Sequence, residues 1–397
     1  MKRRNIYSSI VLTCLLLAAC DKGRDIAPGN YNRGDLVETQ ERGTLTKDEI
    51  VSRVTELSAG DFAQYGVSFE TVTYRTVYLG RPVDSRGLLI LPQGAEKTRL
   101  IMYCHGTELP SVRLNVEKIT PSLYDGGTSD FRDVRNMGLA WATAGYAVFI
   151  PDYIGFGITL GKDHPYVYYP EMFLSNIDGL LAVKKVLQQK HLDYDNRLFL
   201  TGWSQGAGAA LSTHKYIQES YAGDFSVIAT SGLSGPYNFS RFAETVLKKR
   251  DEKVEALPIF SWGLYALNKF SALKRPTDQI YTYQVYDQFA SILTPSKKPG
   301  EVFSEYFLNR WTDGSDVELK KALADNSFHQ GWKPTGKIFL HHGDADELVP
   351  SYNTEDAYQG LAAAGGNVKK YIYPGGGHIS ELGKFISNTL NEFNLLN

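Results

Sequence analysis

Arg197-Leu198-Phe199-Leu200-Thr201-Gly202-Trp203-Ser204-Gln205-Gly206-Ala207-Gly208-Ala209-Ala210-Leu211 decides how the rest of the chain is read. An apolar run predicts a strand at 197–200, and a helix is predicted at 207–218. The Gly202-Trp203-Ser204-Gln205-Gly206 string fills the junction. So tight a reversal strains its central residue and projects that side chain outward. Glycines on both sides let strand and helix approach closely. Small residues produce this string by accident elsewhere. The strand–turn–helix setting gives it weight here.

A serine hydroxyl is a weak nucleophile at neutral pH and needs a neighbouring base. Two downstream loops supply candidates. His341-His342-Gly343-Asp344-Ala345-Asp346-Glu347-Leu348-Val349-Pro350 closes a predicted strand at 338–340, and Pro374-Gly375-Gly376-Gly377-His378 closes another at 371–373. Open α/β sheets gather their sites at this carboxyl edge. His378 is the expected base. Asp344 and Asp346 both remain as its orienting acid, because residues two apart cannot both face it; Glu347 is a distant third. The loop resembles the acid loop of α/β-hydrolases, and that resemblance selects Asp346 and leaves Asp344 to cap the turn. A tetrahedral oxyanion needs donors. The backbone N–H of Gln205 is one, and His105-Gly106-Thr107 supplies the other, with Thr107 preferred to Gly106.

Working outward, strands are predicted at 67–79, 86–91, 100–103, 147–150 and 227–229. Gly80, Pro82 and Asp84 mark a hairpin between the first two. Helices are predicted at about 131–144, through Ile177, Leu180, Leu181 and Leu187, at about 351–364, and at the C-terminus through Leu382, Phe385, Ile386, Leu390 and Phe393. Thr46-Lys47-Asp48-Glu49 is a capping box for a short helix ending near Gly60. Alternating strands and helices predict a mostly parallel central sheet flanked by helices. Residues 236–336 interrupt the alternation with helical signals, including 239–249, a helix opened by Pro258, and a second capping box at Ser315-Asp316-Val317-Glu318. They read as an inserted helical cap between core segments 46–235 and 337–397. The cap is rich in rings, among them Phe260, Trp262, Tyr281, Phe307 and Trp311. Most are expected to pack and a few to line an apolar pocket.

The N-terminus reads differently. Lys2, Arg3 and Arg4 precede an apolar run from Ile10 to Leu17, then Leu17-Ala18-Ala19-Cys20. This is signal-peptide architecture, too short for a comfortable membrane span. The last four residues resemble a bacterial lipobox. The implied organisation is a signal peptide at 1–19, acylation of Cys20, and a polar tether over 20–45. The protein is then expected on the bacterial cell envelope as a lipid-anchored membrane lipoprotein, on an outer-membrane, periplasmic or surface face. Removal of Cys14 and acylation of Cys20 leave Cys104 alone, so no internal disulfide is expected.

Tyr103-Cys104-His105-Gly106-Thr107, Pro151-Asp152-Tyr153-Ile154-Gly155-Phe156-Gly157, the Ser204 string, Asp346 and His378 together resemble the secretory lipase family. The resemblance implies an α/β-hydrolase fold with an inserted cap, no cofactor, and hydrolysis of carboxylic esters on small-molecule, lipid or carbohydrate substrates. A capped serine peptidase, aminopeptidase or prolyl-oligopeptidase-like, is the alternative. A net charge of −2 over 397 residues gives no basic balance for nucleic acid. His164, His191, His214 and His329 show no metal-ligand spacing. Gly155-Phe156-Gly157 with Gly161 departs from a dinucleotide loop and reads as a turn beside the site.

Overall fold

The computed structural model describes residues 31–54, 61–109, 120–127 and 134–396. The expected signal peptide, Cys20 and the first part of the expected tether lie outside them.

Among the described residues, the strands are β1 (Leu36–Leu45), β2 (Val67–Tyr78), β3 (Arg81–Pro92), β4 (Arg99–Cys104), β5 (Tyr146–Pro151), β6 (Arg197–Trp203), β7 (Ser226–Leu233), β8 (Lys337–Gly343) and β9 (Val368–Tyr373). They form one sheet in the order β1-β2-β3-β5-β4-β6-β7-β8-β9. The first three strands pair antiparallel, and β3 joins β5 antiparallel. From β5 to β9 every pairing is parallel.

Two expectations change at the antiparallel end. The stretch read as tether contains β1, whose Leu45 lies opposite Val67 and whose Thr39 lies opposite Val72. It is an edge strand with mostly exposed side chains, so it carries no apolar alternation to betray it. The β2–β3 hairpin turns on Leu79 and Gly80, at φ 49° and 74°. Two left-handed residues match the twist of the flanking strands. Pro82 and Asp84 lie instead within β3, opposite Val77 and Arg75.

Helices α1 (Lys47–Arg53), α2 (Leu139–Thr143), α3 (Tyr169–Gln189) and α4 (Gln205–Ser220) precede β7. The Thr46 capping box forms: the Thr46 hydroxyl accepts from the Glu49 N–H, and the Glu49 carboxylate accepts from the Thr46 N–H. The helix expected over 131–144 is a wide turn at Val134–Gly138 leading into α2; 131–133 lie outside the described residues. Between β7 and β8 stand α5 (Phe239–Leu247), α6 (Leu257–Phe270), α7 (Gln288–Ile292), α8 (Pro299–Val302), α9 (Glu305–Thr312) and α10 (Val317–Asp325). This is the segment read as a cap. α10 is capped by Asp316 rather than Ser315: the buried Asp316 carboxylate accepts from the Leu319 N–H and pairs with Arg275. α11 (Tyr352–Ala363) and α12 (Leu382–Asn394) follow β8 and β9.

Both faces of the sheet are covered, so β5 and β4 from Leu100 onward are buried on both sides and read as continuous apolar runs. Leu100, Met102 and Cys104 join Leu198 and Leu200 in a core shared with α3, α4 and the cap. Ile101, Tyr103 and Phe199 face the other way, onto Trp141 of α2 and Phe385, Ile386 and Phe393 of α12. Burial of Trp262, Phe303 and Phe307 builds the cap's own interior.

Candidate active site

Ser204 occupies the single residue between β6 and α4, at φ 55° and ψ −122°. A non-glycine residue holds such a backbone only when its surroundings enforce it. Here the enforcement is close packing. A Cβ on Gly206 would stand 1.9 Å from the Cys104 carbonyl oxygen, and one on Gly202 would stand 2.2 Å from the Gly206 carbonyl oxygen. The Ser204 N–H donates to the Leu233 carbonyl at 2.8 Å, tying the turn to β7.

The loops after β8 and β9 meet this serine. His378 Nε2 lies 3.0 Å from Ser204 Oγ, and His378 Nδ1 lies 2.7 Å from Asp346 Oδ2. An ionised carboxylate only accepts, so Nδ1 carries the proton and Nε2 is free to accept from the serine. The loops are held together by backbone approach: a Cβ on Gly343 would meet the Gly376 oxygen at 2.2 Å. The Trp203 indole N–H donates to the His378 carbonyl at 3.0 Å, which fixes the histidine from the serine's own strand.

Asp346 is surrounded by donors. Its Oδ1 accepts from the Leu348 and Val349 N–H groups, both at 2.9 Å. Its Oδ2 also lies 3.4 Å from His342 Nε2. Burial alone would push this carboxyl up. Hydrogen bonds from His342 and His378, the charge of His378 and the Val349 N–H outweigh burial and hold it well below the usual carboxylate range. Asp344 does something else: it accepts from the Gly375 N–H at 2.6 Å and faces the turn, not the histidine.

The Gln205 N–H opens α4, where the first N–H groups of a helix have no partner within it. Thr107 follows β4, with its hydroxyl 3.0 Å from the Tyr166 hydroxyl. Buried His105 turns its Nδ1 to the Gly106 carbonyl at 2.8 Å and packs its ring 4.1 Å from that of Tyr153. Cys104 is buried, and burial pushes its thiol up to about 12, so it stays protonated at neutral pH. Asp152 is pinned by the Ser122 N–H and hydroxyl at 2.8 and 2.7 Å.

An apolar cavity opens from Ser204 and Gln205 into the cap. Phe242, Leu247, Phe260, Leu264, Phe307 and Leu323 contribute to its wall, and none of its lining residues carries a charge. Among the described residues, no group of three His, Cys, Asp or Glu side chains is placed to hold a metal ion.

Sequence reasoning missed His342, which supports Asp346 from the preceding strand, and His164, which contacts Gln205. His342 stands directly before the acid loop, so a signal was present. His164 shows only as one histidine among several.

No family model matches the sequence, and no curated protein matches it. Solved structures do. A Legionella pneumophila protein provisionally classed as a hydrolase superposes with a TM-score of 0.76 at 20% identity, over 91% of this chain and 98% of that one. The rice cell wall degrading esterase LipA from Xanthomonas oryzae gives 0.71 at 21% identity, over 92% and 97%. Candida antarctica lipase A gives 0.58 at 16% identity, over 88% and 79%. The fold is that of the α/β-hydrolases. Within that fold, Ser204 stands on the tight turn between β6 and α4, and the loops that carry Asp346 and His378 follow β8 and β9.

Proposed function

We propose that this protein is a serine hydrolase of carboxylic esters, similar to the secretory lipases, with Ser204, Asp346 and His378 as its catalytic triad. The observation that carries this reading is the junction of the Ser204–His378–Asp346 hydrogen-bond chain with an uncharged, ring-lined cavity. His378 Nε2 takes the Ser204 proton as Oγ attacks the ester carbonyl, and Asp346 holds the imidazolium that results. The backbone N–H groups of Gln205 and Thr107 stabilise the oxyanion. The tetrahedral intermediate expels the alcohol, which takes the proton from His378. Water, activated by the same histidine, then releases the acid from Ser204.

The acyl chain occupies the cavity. Each buried methylene contributes about 0.8 kcal/mol, so esters of short to medium acids should be preferred to acetate until the cavity is full. The peptidase alternative needs a group to receive a free amine, and the cavity lining offers no carboxylate. Matched p-nitrophenyl esters and aminoacyl arylamides test the reading. Substantial turnover of unblocked peptides, lost on N-acetylation, would replace it with an aminopeptidase.

The N-terminal reading belongs to the same proposal: cleavage before Cys20 and its acylation place the enzyme on the bacterial cell envelope. Labelled fatty acid should enter the wild-type protein and not Cys20→Ala, and equal labelling of both would end that part of the proposal.

A further inference from the structure

The loop between β5 and α3 brings His164 and Tyr166 against both of the residues assigned above to the oxyanion. His164 Nδ1 lies 2.8 Å from the Ile154 carbonyl oxygen. A carbonyl only accepts, so Nδ1 carries the proton and Nε2 is an acceptor. That Nε2 lies 2.6 Å from the Gln205 side-chain nitrogen, which donates to it. Two residues on, the Tyr166 hydroxyl lies 3.0 Å from Thr107 Oγ1. Gln205 and Thr107 come from different strand ends, and this short segment touches both.

The same segment is fastened to the cap. The His164 N–H donates to Gln288 Oε1 of α7 at 2.9 Å. The Tyr166 ring stacks on Trp262 of α6, with centroids 3.8 Å apart and planes within 4°. His164, Tyr166, Trp262 and Gln288 are all buried. The backbone shape is specified too: Gly155 has φ +99°, and a Cβ there would stand 2.9 Å from the His164 nitrogen. Tyr166 also lines the cavity beside Ser204, so a bound acyl chain would rest on the ring whose hydroxyl holds Thr107.

We propose that His164 and Tyr166 are positioning residues for the oxyanion site, a strut through which the cap and a bound acyl chain fix the peptides at Gln205 and Thr107. The inference rests on the esterase reading. It adds a route by which cap packing reaches the reacting carbonyl without contacting it. Loss of a whole oxyanion donor costs about 10²–10³ in rate, and loosening a donor should cost less, roughly tenfold.

Tyr166→Phe keeps the ring on Trp262 and removes only the hydroxyl. It should lower kcat by roughly tenfold with KM nearly unchanged, as expected when a transition-state interaction is weakened. An alkylboronic acid, which forms a tetrahedral adduct on the serine, should bind more weakly in proportion. His164→Phe and Gln205→Met should each lower kcat, and the double variant should be no worse than the poorer single, because both break one contact. If His164→Phe fails to fold, Gln205→Met tests the same contact from the other side. Unchanged kcat and boronate affinity in Tyr166→Phe and Gln205→Met would overturn the strut. So would a loss confined to KM. A wild-type protein with no ester turnover and no boronate binding would instead overturn the esterase reading itself.

Discussion

Ser204 lies between two unlike surfaces. Beneath it, the sheet edge supplies polar groups that are each committed: His378 to Asp346, Asp346 to the Leu348 and Val349 N–H groups, Asp344 to the Gly375 N–H. Above it, the cap supplies carbon from Phe242, Phe260, Leu264 and Phe307. Hydrogen bonds have narrow geometry and fail within a few tenths of an ångström. Apolar packing accepts exchanges of similar volume at modest cost. Substitutions at Ser204, His378 and Asp346 in the floor should therefore abolish rate, and substitutions in the roof should redirect it.

The largest effect belongs to Ser204→Ala. Ester turnover should fall by ~10⁴-fold or more, since nucleophile and base act as a unit. The melting temperature should move little. Retained turnover by a folded variant would show that the floor is not catalytic. Next comes the pair of acids. Asp346→Asn should cost about 10⁴ in kcat, because it disturbs the histidine tautomer and leaves the imidazolium uncompensated. Asp344→Asn should cost far less, since that side chain only holds a turn. A larger loss from Asp344→Asn would move the acid role to it.

This asymmetry between floor and roof also governs what can be read from the sequence. The floor depends on backbone approach that only certain residues permit. Gly202, Gly206 and Gly343 each stand where a Cβ would strike a carbonyl, and those glycines print the site into a linear string. The roof depends on which faces meet in three dimensions, and the cap was legible only as an interruption of strand–helix alternation. Its ring-rich composition predicted a pocket without naming the wall. β1 was invisible because an exposed edge strand has no apolar period. The contact of His164 with Gln205 spans 41 positions, and no local pattern announces it. The α10 cap was misplaced by one residue because Asp316 also answers Arg275, from 41 positions away.

A smaller effect concerns the back of the roof. Leu247 and Leu323 line the cavity on one side and, on the other, an open groove carrying Arg241, Lys248, Arg250 and Lys320. The two leucines are thus the partition at which an acyl chain should stop. Leu323→Ala should let longer acyl esters in. Two further methylenes, at about 0.8 kcal/mol each, correspond to roughly a tenfold gain for long over short chains. Leu323→Phe should shift preference the other way. Chain-length profiles on p-nitrophenyl esters decide it, with melting curves run alongside, because a buried Leu→Ala costs about 2–5 kcal/mol. An unchanged profile in a folded variant would mean the chain lies elsewhere.

The smallest effect separates two buried aspartates of the sheet edge. Asp346 is supplied with donors and stays ionised. Asp152, at the end of β5, is pushed up to about 6 by burial, against hydrogen bonds from Ser122 and the charge of Arg86 that lower it. Its folded value lies above its unfolded value near 3.8, so the folded state binds the proton more tightly. Its contribution to stability is therefore fully present below about pH 4 and is lost as pH rises through about 6. Asp346 has the opposite sign: its depressed value contributes stability above the unfolded carboxylate range and loses it on acidification. Asp152→Asn keeps an acceptor for the Ser122 N–H and a donor for its hydroxyl while removing the titration. Melting temperatures of wild type and Asp152→Asn should therefore converge near pH 4, with the wild type falling behind the variant toward pH 7. Parallel curves across that range would show that Asp152 does not titrate on folding, and that both aspartates of the edge are held ionised alike.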